Sequence, residues 1–355
     1  MSLLNGKWEF DENNFGPLLP YVNDPMITDI NYNGTDVWIE DLTKGIYKSE
    51  IELDKQFVTQ FCTRIANLMS KQFNKQNNVL EAETDSLRIS IIHPDVTDTG
   101  VSISIRKTPA IRRLTEENII AEGYCHPDVL RLLKNFINAK MNIVFCGTPG
   151  SGKTELLKFL TQYIPLSEKV MTIEDNLEIH YKQINPGSNC VELKVDPTLF
   201  TYTNAIKAAL RQNPQWVLLS EARSVEVKYL LECFSTGLHG LTTLHTDDVR
   251  KIPDRIQNMM QDAYAASRLE NDIYNFINVG ILLRKKVRGD KVIRMIDQIC
   301  LFDRVDDKNM CQLLVKGGRI VSREITPNIA TKFEWNDIKN PFKDEGEVFK
   351  NEKKE

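Results

Sequence analysis

The sequence predicts an α/β protein: a domain built on a parallel-rich sheet, preceded by a small α+β domain. Three observations carry this. Between residues 127 and 301 short apolar runs alternate with helical stretches, the mark of strands joined by crossover helices. One run leads into Gly147-Thr148-Pro149-Gly150-Ser151-Gly152-Lys153-Thr154, a glycine-rich turn set between a strand and a helix. Ahead of this region, residues 26–107 hold alternating strand patterns and a single long helical pattern.

Residues 1–25 are polar and carry Pro17, Pro20 and Pro25, which predicts a loop-rich lead-in. Strands at 26–30 and 37–40 flank Asn33-Gly34, a hairpin signal. Asp54 is placed to cap a helix running to about Phe73, because Phe57, Phe61, Ile65, Leu68 and Met69 recur at helical spacing. Strands at 87–92 and at 101–106, the latter strictly alternating, complete the small domain of residues 26–107. Thr108-Pro109 and the charged stretch from Arg112 to Asn118 make 108–126 a linker. The second domain is placed at 127–339. Helices are expected at 127–139, 153–164, 203–211, 224–234 and 248–260, with a further one ending at Phe276. Strands are expected at 142–146, 170–173, 216–219 and 241–244, with a closing hairpin from 279–283 and 292–301. Lys, Glu and Asp dominate 340–355, which predicts a disordered tail.

Length and composition narrow the function. The 355 residues suit two domains, and 41% hydrophobic residues can build a sizeable core. A net charge of −4 argues against a broadly basic surface for nucleic acid, so no stable direct nucleic-acid binding is expected. Seven cysteines without a Cys-x-x-Cys pair argue against a disulfide framework and a zinc site of ordinary spacing, and fit a reducing cytoplasm. No run approaches the roughly 20 apolar residues that span a bilayer. The first fifteen residues lack a signal-peptide pattern, so membrane association is expected to be peripheral, through partners.

Chemistry concentrates in four segments. In the stretch Gly147, Thr148, Pro149, Gly150, Ser151, Gly152, Lys153 and Thr154, glycines let the backbone turn successive N–H groups inward toward phosphate oxygens. The start of the following helix adds its positive end, Lys153 reaches the β- and γ-phosphates, and the Thr154 hydroxyl suits Mg²⁺. The expected ligands are therefore ATP and Mg²⁺. Trp216-Val217-Leu218-Leu219-Ser220-Glu221 is a strand ending in an acid, and in a parallel sheet that end faces the ligand crevice. Glu221 is thus expected to orient or activate water, or to act on Mg²⁺. Thr172-Ile173-Glu174-Asp175 ends likewise, and Glu174 could serve the metal or the water. The fourth segment, Thr236 to His245, closes a strand with a histidine that could donate to a γ-phosphate; a lone histidine is more often structural.

These four segments, in this order, resemble the secretion ATPase superfamily of type II secretion, type IV pilus and type IV secretion motors. Thr172 to Glu178 is similar to its Asp box, Arg211-Gln212-Asn213-Pro214 leading to Glu221-Ala222-Arg223 to its Walker B stretch, and Thr236 to His245 to its His box. Ile27-Thr28-Asp29-Ile30 with Asn33-Gly34, and Ser104-Ile105-Arg106-Lys107, resemble the branch that drives Flp pili and conjugation. The resemblance covers about residues 26–305. It implies a RecA-like P-loop ATPase domain, a homo-hexameric ring and an inner-membrane platform as partner. It also implies arginines that reach the nucleotide: Arg88 and Arg106 from the first domain or a neighbouring subunit, and Arg211 and Arg223 flanking the Walker B stretch. A RecA-like nucleic-acid translocase is the rival reading, and would need cations and aromatic residues tracking a strand.

Overall fold

The computed structural model describes residues 10–343 except 197, 225, 261, 262 and 290. The chain divides into two compact units. One runs to Ala110 and includes Lys286–Ile293; the other takes Ile111–Lys285 and Arg294 onward.

In the first unit the order is α1 (Glu12–Phe15), α2 (Leu19–Asn23), β1 (Ile27–Tyr32), β2 (Val37–Asp41), β3 (Gly45–Lys48), α3 (Lys55–Leu68), β4 (Val79–Glu83), β5 (Leu87–Ile92) and β6 (Ser102–Lys107). The six strands form one sheet in the order β3-β2-β1-β6-β5-β4, antiparallel at every pairing. The Asn33-Gly34 turn joins β1 to β2. Gly34 has φ 102°, and a Cβ there would come 2.1 Å from the Thr99 carbonyl oxygen, so only glycine fits. Asp54 caps α3 as expected, accepting from the Phe57 N–H at 2.7 Å. Phe61 and Ile65 of α3 pack with Ile30, Ile39, Ile89 and Ile105 of the sheet. Each fully buried side chain of this size contributes about 1.5–3 kcal/mol.

The expected loop-rich lead-in is corrected here: among its described residues lie α1 and α2, with Phe15, Leu18 and Val22 in the core. Those three positions already follow helical spacing. Pro17 and Pro20 stand at first-turn positions, where the missing N–H costs nothing.

The second unit holds α4 (Glu116–Ala121), α5 (Pro127–Asn138), β7 (Ile143–Cys146), α6 (Lys153–Leu160), β8 (Val170–Glu174), α7 (Tyr181–Ile184) and β9 (Cys190–Lys194). It continues with α8 (Tyr202–Arg211), β10 (Trp216–Leu219), α9 (Glu226–Ser235), β11 (His239–Leu244), α10 (Ile252–Gln257) and α11 (Ala263–Phe276). Last come β12 (Val279–Arg288) and β13 (Lys291–Val305), of which residues 286–288 and 291–293 count with the first unit, then β14 (Lys308–Lys316), β15 (Arg319–Ile320) and α12 (Pro327–Trp335). The sheet order is β15-β14-β13-β12-β7-β11-β10-β8-β9. From β12 to β9 the pairings are parallel. Within it β7, β8 and β10 are buried along their whole length, because the layers on the two faces of the sheet cover them. On β7, Ile143 and Phe145 enter one core, Val144 and Cys146 the other.

Three further expectations change. The helix placed at 248–260 is a short turn followed by α10, with Pro253 in its first turn. The linker 108–126 contains α4, opened by a capping box between Thr115 and Asn118. Of the tail, 344–355 lie outside the described residues. Its first part is packed: Phe342 is buried, and Asn135 Nδ2 donates to the Pro341 carbonyl at 2.9 Å. Among the described residues no helix is long and apolar enough to cross a membrane.

Candidate active site

The glycine-rich loop joins the end of β7 to the start of α6. Gly147, Gly150 and Gly152 all have positive φ. A Cβ on Gly147 would meet the Leu283 carbonyl oxygen at 2.4 Å, so the loop lies directly against the backbone of β12. Gly152 caps α6 with no side-chain hydrogen bond, which leaves the first amides of α6 without a side-chain cap. Lys153 is buried, and Nζ donates to the carbonyls of Gly147 at 3.1 Å and Thr148 at 3.3 Å. Burial lowers its pKa, opposed by the charge of Glu221. A cavity of about 340 Å³ is lined by Gly147, Thr148, Pro149, His245 and Thr246.

Three strand ends bring charged groups to this place. Glu221, just past β10, is shared: Oε2 lies 2.8 Å from Arg223 Nη2 and Oε1 3.1 Å from His245 Nε2. His245, just past β11, has Nδ1 at 3.4 Å from Lys153 Nζ and 3.1 Å from the Gly147 carbonyl. Glu221 and Lys153 thus flank the imidazole, one at each ring nitrogen. Arg223 Nη1 reaches Asp175 Oδ2 at 2.6 Å, just past β8. Burial works against its positive charge, but the bond to Glu221 and the charge of Asp175 outweigh it, so the guanidinium holds its proton more tightly than usual. Burial likewise opposes the Asp175 charge, and Arg223 reverses the balance, so its pKa falls.

Glu174 is placed differently from Glu221. It is fully buried, and its Oε2 accepts from the amides of Glu178 at 2.9 Å and Ile179 at 3.0 Å. Burial pushes its pKa up to about 8, against those two hydrogen bonds. It holds the loop that follows β8 from beneath. The carboxylate beside Thr154 is Glu178, whose Oε2 accepts from Thr154 Oγ1 at 3.4 Å. Hydroxyl and carboxylate oxygens are the hard ligands that suit Mg²⁺.

Of the residues singled out from sequence, the structure therefore brings Lys153, Thr154, Glu221, His245 and Arg223 together. It does not bring Arg211 to them. Arg211 ends α8 before β10 starts, so it stands exposed at the opposite rim of the sheet. Arg88 and Arg106 belong to the first unit: Arg106 Nε pairs with Asp29 at 2.9 Å, and Arg88 lies 3.9 Å from Glu81. Two residues were missed. Glu178 lies four places beyond Glu174, within the segment already noted. Arg294, on β13, donates from Nε to the Gly150 carbonyl at 3.0 Å, and nothing in its local sequence marks that contact.

Comparison with known proteins adds the following. The family described as Type II/IV secretion system protein matches residues 11–316. An uncharacterized protein of Bacillus anthracis is 31% identical over 267 residues, 74% of this chain and 60% of that protein. The chain thus spans less than two thirds of that relative's length. Type IV secretion system protein VirB11 of Brucella suis is 26% identical over 277 residues, 69% of this chain and 76% of its own. The solved structure of the Legionella pneumophila ATPase DotB superimposes with a TM-score of 0.57 at 19% identity, covering 85% of this chain and 84% of that one. This likeness shows the fold: an N-terminal α+β unit followed by a RecA-like P-loop domain.

Proposed function

This chain belongs to the type II/IV secretion system protein family, and we propose that it is an ATP-hydrolysing motor subunit of that family. The observation that carries the reading is the meeting of Lys153, His245 and Glu221 beside the uncapped start of α6. Residues 147–154 would hold the phosphates through backbone amides and the Lys153 ammonium. Thr154, with Glu178 next to it, offers the oxygens for Mg²⁺, which when bound neutralises charge on the phosphates. Glu221 would orient the attacking water or take its proton as the bond between the γ-phosphorus and the bridging oxygen breaks and ADP leaves. His245 would donate toward the γ-phosphate and register its loss. Arg223 would hold Glu221 in register with Asp175.

In the cell the reading is a homo-hexamer, cytoplasmic and peripheral to the inner membrane. Turnover there would drive pilus assembly or type IV secretion and conjugation through a membrane platform. The name of the Brucella suis relative, a type IV secretion system protein, supports the secretion part of this reading. Arg88 and Arg106 enter it as cations that a neighbouring subunit would offer the nucleotide.

The test is Mg-ATP turnover by the purified chain and by Lys153→Ala. We expect turnover by the first and none by the second, because the phosphates lose their main point charge. Full turnover by a folded Lys153→Ala protein would refute the site. Stimulation by DNA and not by phospholipid would favour a nucleic-acid translocase instead.

A further inference from the structure

Arg112 has no part in the chemistry described so far. It is the second residue of the second unit, in the segment that the sequence marks only as a charged linker. Its side chain nevertheless makes three directed contacts. Nε donates to the Lys158 carbonyl at 3.2 Å, and Nη2 donates to the Ile184 carbonyl at 3.1 Å and to Asn185 Oδ1 at 2.6 Å. The acceptors belong to two separate pieces of the molecule. Lys158 lies in the last turn of α6, whose first turn carries Lys153 and Thr154. Ile184 ends α7, which follows the loop carrying Asp175 and Glu178.

The acceptors are themselves locked. Asn185 Nδ2 donates to Thr161 Oγ1 and to the Tyr181 carbonyl, both at 3.1 Å, and Thr161 Oγ1 donates to the Lys158 carbonyl at 2.7 Å. Asn185 and Thr161 are buried, with 6% and 1% of their surfaces exposed. A guanidinium, with its planar fork of donors, can serve three acceptors in fixed directions; an ammonium on a flexible stem cannot. At the other end of the same two pieces, Thr154 meets Glu178. An eight-residue helix is about 12 Å long, so a tilt of about 5° at one end moves the other by about 1 Å.

We propose that Arg112 is a positioning residue for hydrolysis: it fastens the far end of α6 to the far end of the acid loop, and so sets Thr154 against Glu178. The segment that opens the second unit thereby holds the nucleotide site mechanically, and a displacement of that segment acts on turnover before it acts on nucleotide affinity. This inference rests on the reading of the site as an ATPase.

The test compares Arg112→Ala, Arg112→Lys and Asn185→Ala in the full chain. Three measurements are made: steady-state kinetics giving kcat and KM for Mg-ATP, equilibrium binding of a fluorescent ADP analogue, and hydrogen exchange at the amides of Glu178 and Ile179. Arg112→Ala is expected to lower kcat about tenfold, to leave ADP binding within about twofold, and to speed exchange at both amides. Arg112→Lys should recover less than half of the lost rate, and Asn185→Ala should show a smaller version that is not additive with Arg112→Ala. Unchanged kcat with unchanged exchange overturns the proposal, as does a fall in kcat matched by an equal loss of ADP affinity. If Arg112→Ala does not fold, the other two variants decide by the same criteria. If the wild-type chain neither binds ADP nor turns over ATP, the ATPase reading fails, and exchange alone decides: unchanged protection then overturns the fastening as well.

Discussion

The two ends of β11 each carry a histidine, and they could hardly differ more. At the rim where the parallel strands begin, His239 lies against Trp216 with ring centroids 5.4 Å apart. Around it polar groups are matched one to one: Glu168 accepts from Lys140 Nζ and from Trp216 Nε1, each at 2.6 Å. Asn142 stitches the same rim, donating to the Phe276 carbonyl and accepting from the Gly240 amide. At the rim where the strands end, His245 faces a cavity, and Glu221 is divided between His245 and Arg223. Burial first, and then the charges of Lys140 and Lys332, push the His239 pKa down to about 4, so it is neutral near pH 7. The difference teaches that position at the strand end, and not residue type, decides which histidine can do chemistry.

The comparison can be broken or sharpened by three experiments. The largest effect is expected for Glu221→Gln. It should keep ADP binding and lose about 10²–10⁴-fold in turnover, the usual contribution of a general base or water-orienting acid. Near-normal turnover would move the chemistry away from this carboxylate.

Next is Glu174→Gln, which probes what the ending rim costs the fold. With its pKa raised from 4.5 to about 8, the folded state binds the Glu174 proton more tightly than the unfolded chain does. The stability this gives is full below about 4.5 and is lost as the pH rises through about 8, a change on the order of a few kcal/mol. Urea midpoints of the wild type should therefore fall between pH 5 and pH 8 relative to those of Glu174→Gln. Parallel profiles would mean that the acid titrates normally.

The smallest effects come from exchanging the roles of the two histidines. His245→Ala should lower turnover about tenfold with little change in Tm. His239→Ala should lower Tm by several degrees, the consequence of about 1–3 kcal/mol, with turnover per folded molecule unchanged. The His239 contribution has the opposite pH sign to that of Glu174: its folded pKa is depressed, so its stability is present above about 6.5 and is lost as the pH falls through about 4. A kinetic defect in His239→Ala without a stability defect would erase the distinction between the rims.

Much of this architecture was legible in the sequence, for identifiable reasons. Strands buried on both faces announce themselves as unbroken apolar runs, as in residues 143–146 and 216–219, and a phosphate loop has a fixed glycine spacing. The acid and the histidine that follow such runs could be placed at one rim by topology alone. Other features left no such trace. β3 and β4 are the edge strands of their sheet, and their apolar Ile46 and Val79 are exposed, so alternation against a core was weak. Helices α1 and α2 were hidden by prolines that read as breakers: Pro17 falls in the short turn between them and Pro20 in the first turn of α2. Arg294 and, in two of its three contacts, Arg112 donate to backbone carbonyls, an acceptor that every residue offers, so no pattern of residue types foretells those partners. Glu174 is the converse case: an acid at the right strand end, whose depth in the core only packing reveals.

The close contact of Gly147 with the Leu283 carbonyl, in a sheet covered on both faces, has a consequence for movement. Interiors packed this densely are stiff, and transmit displacement without absorbing it. A ligand arriving at the loop can therefore do little by flexing the strands that support it. Compliance must reside in the connections past the strand ends, at residues 175–180, 220–224 and 245–248. Those connections carry Asp175, Glu178, Glu221, Arg223 and His245, so the parts of this molecule free to act as a linkage are the same parts that would touch the nucleotide.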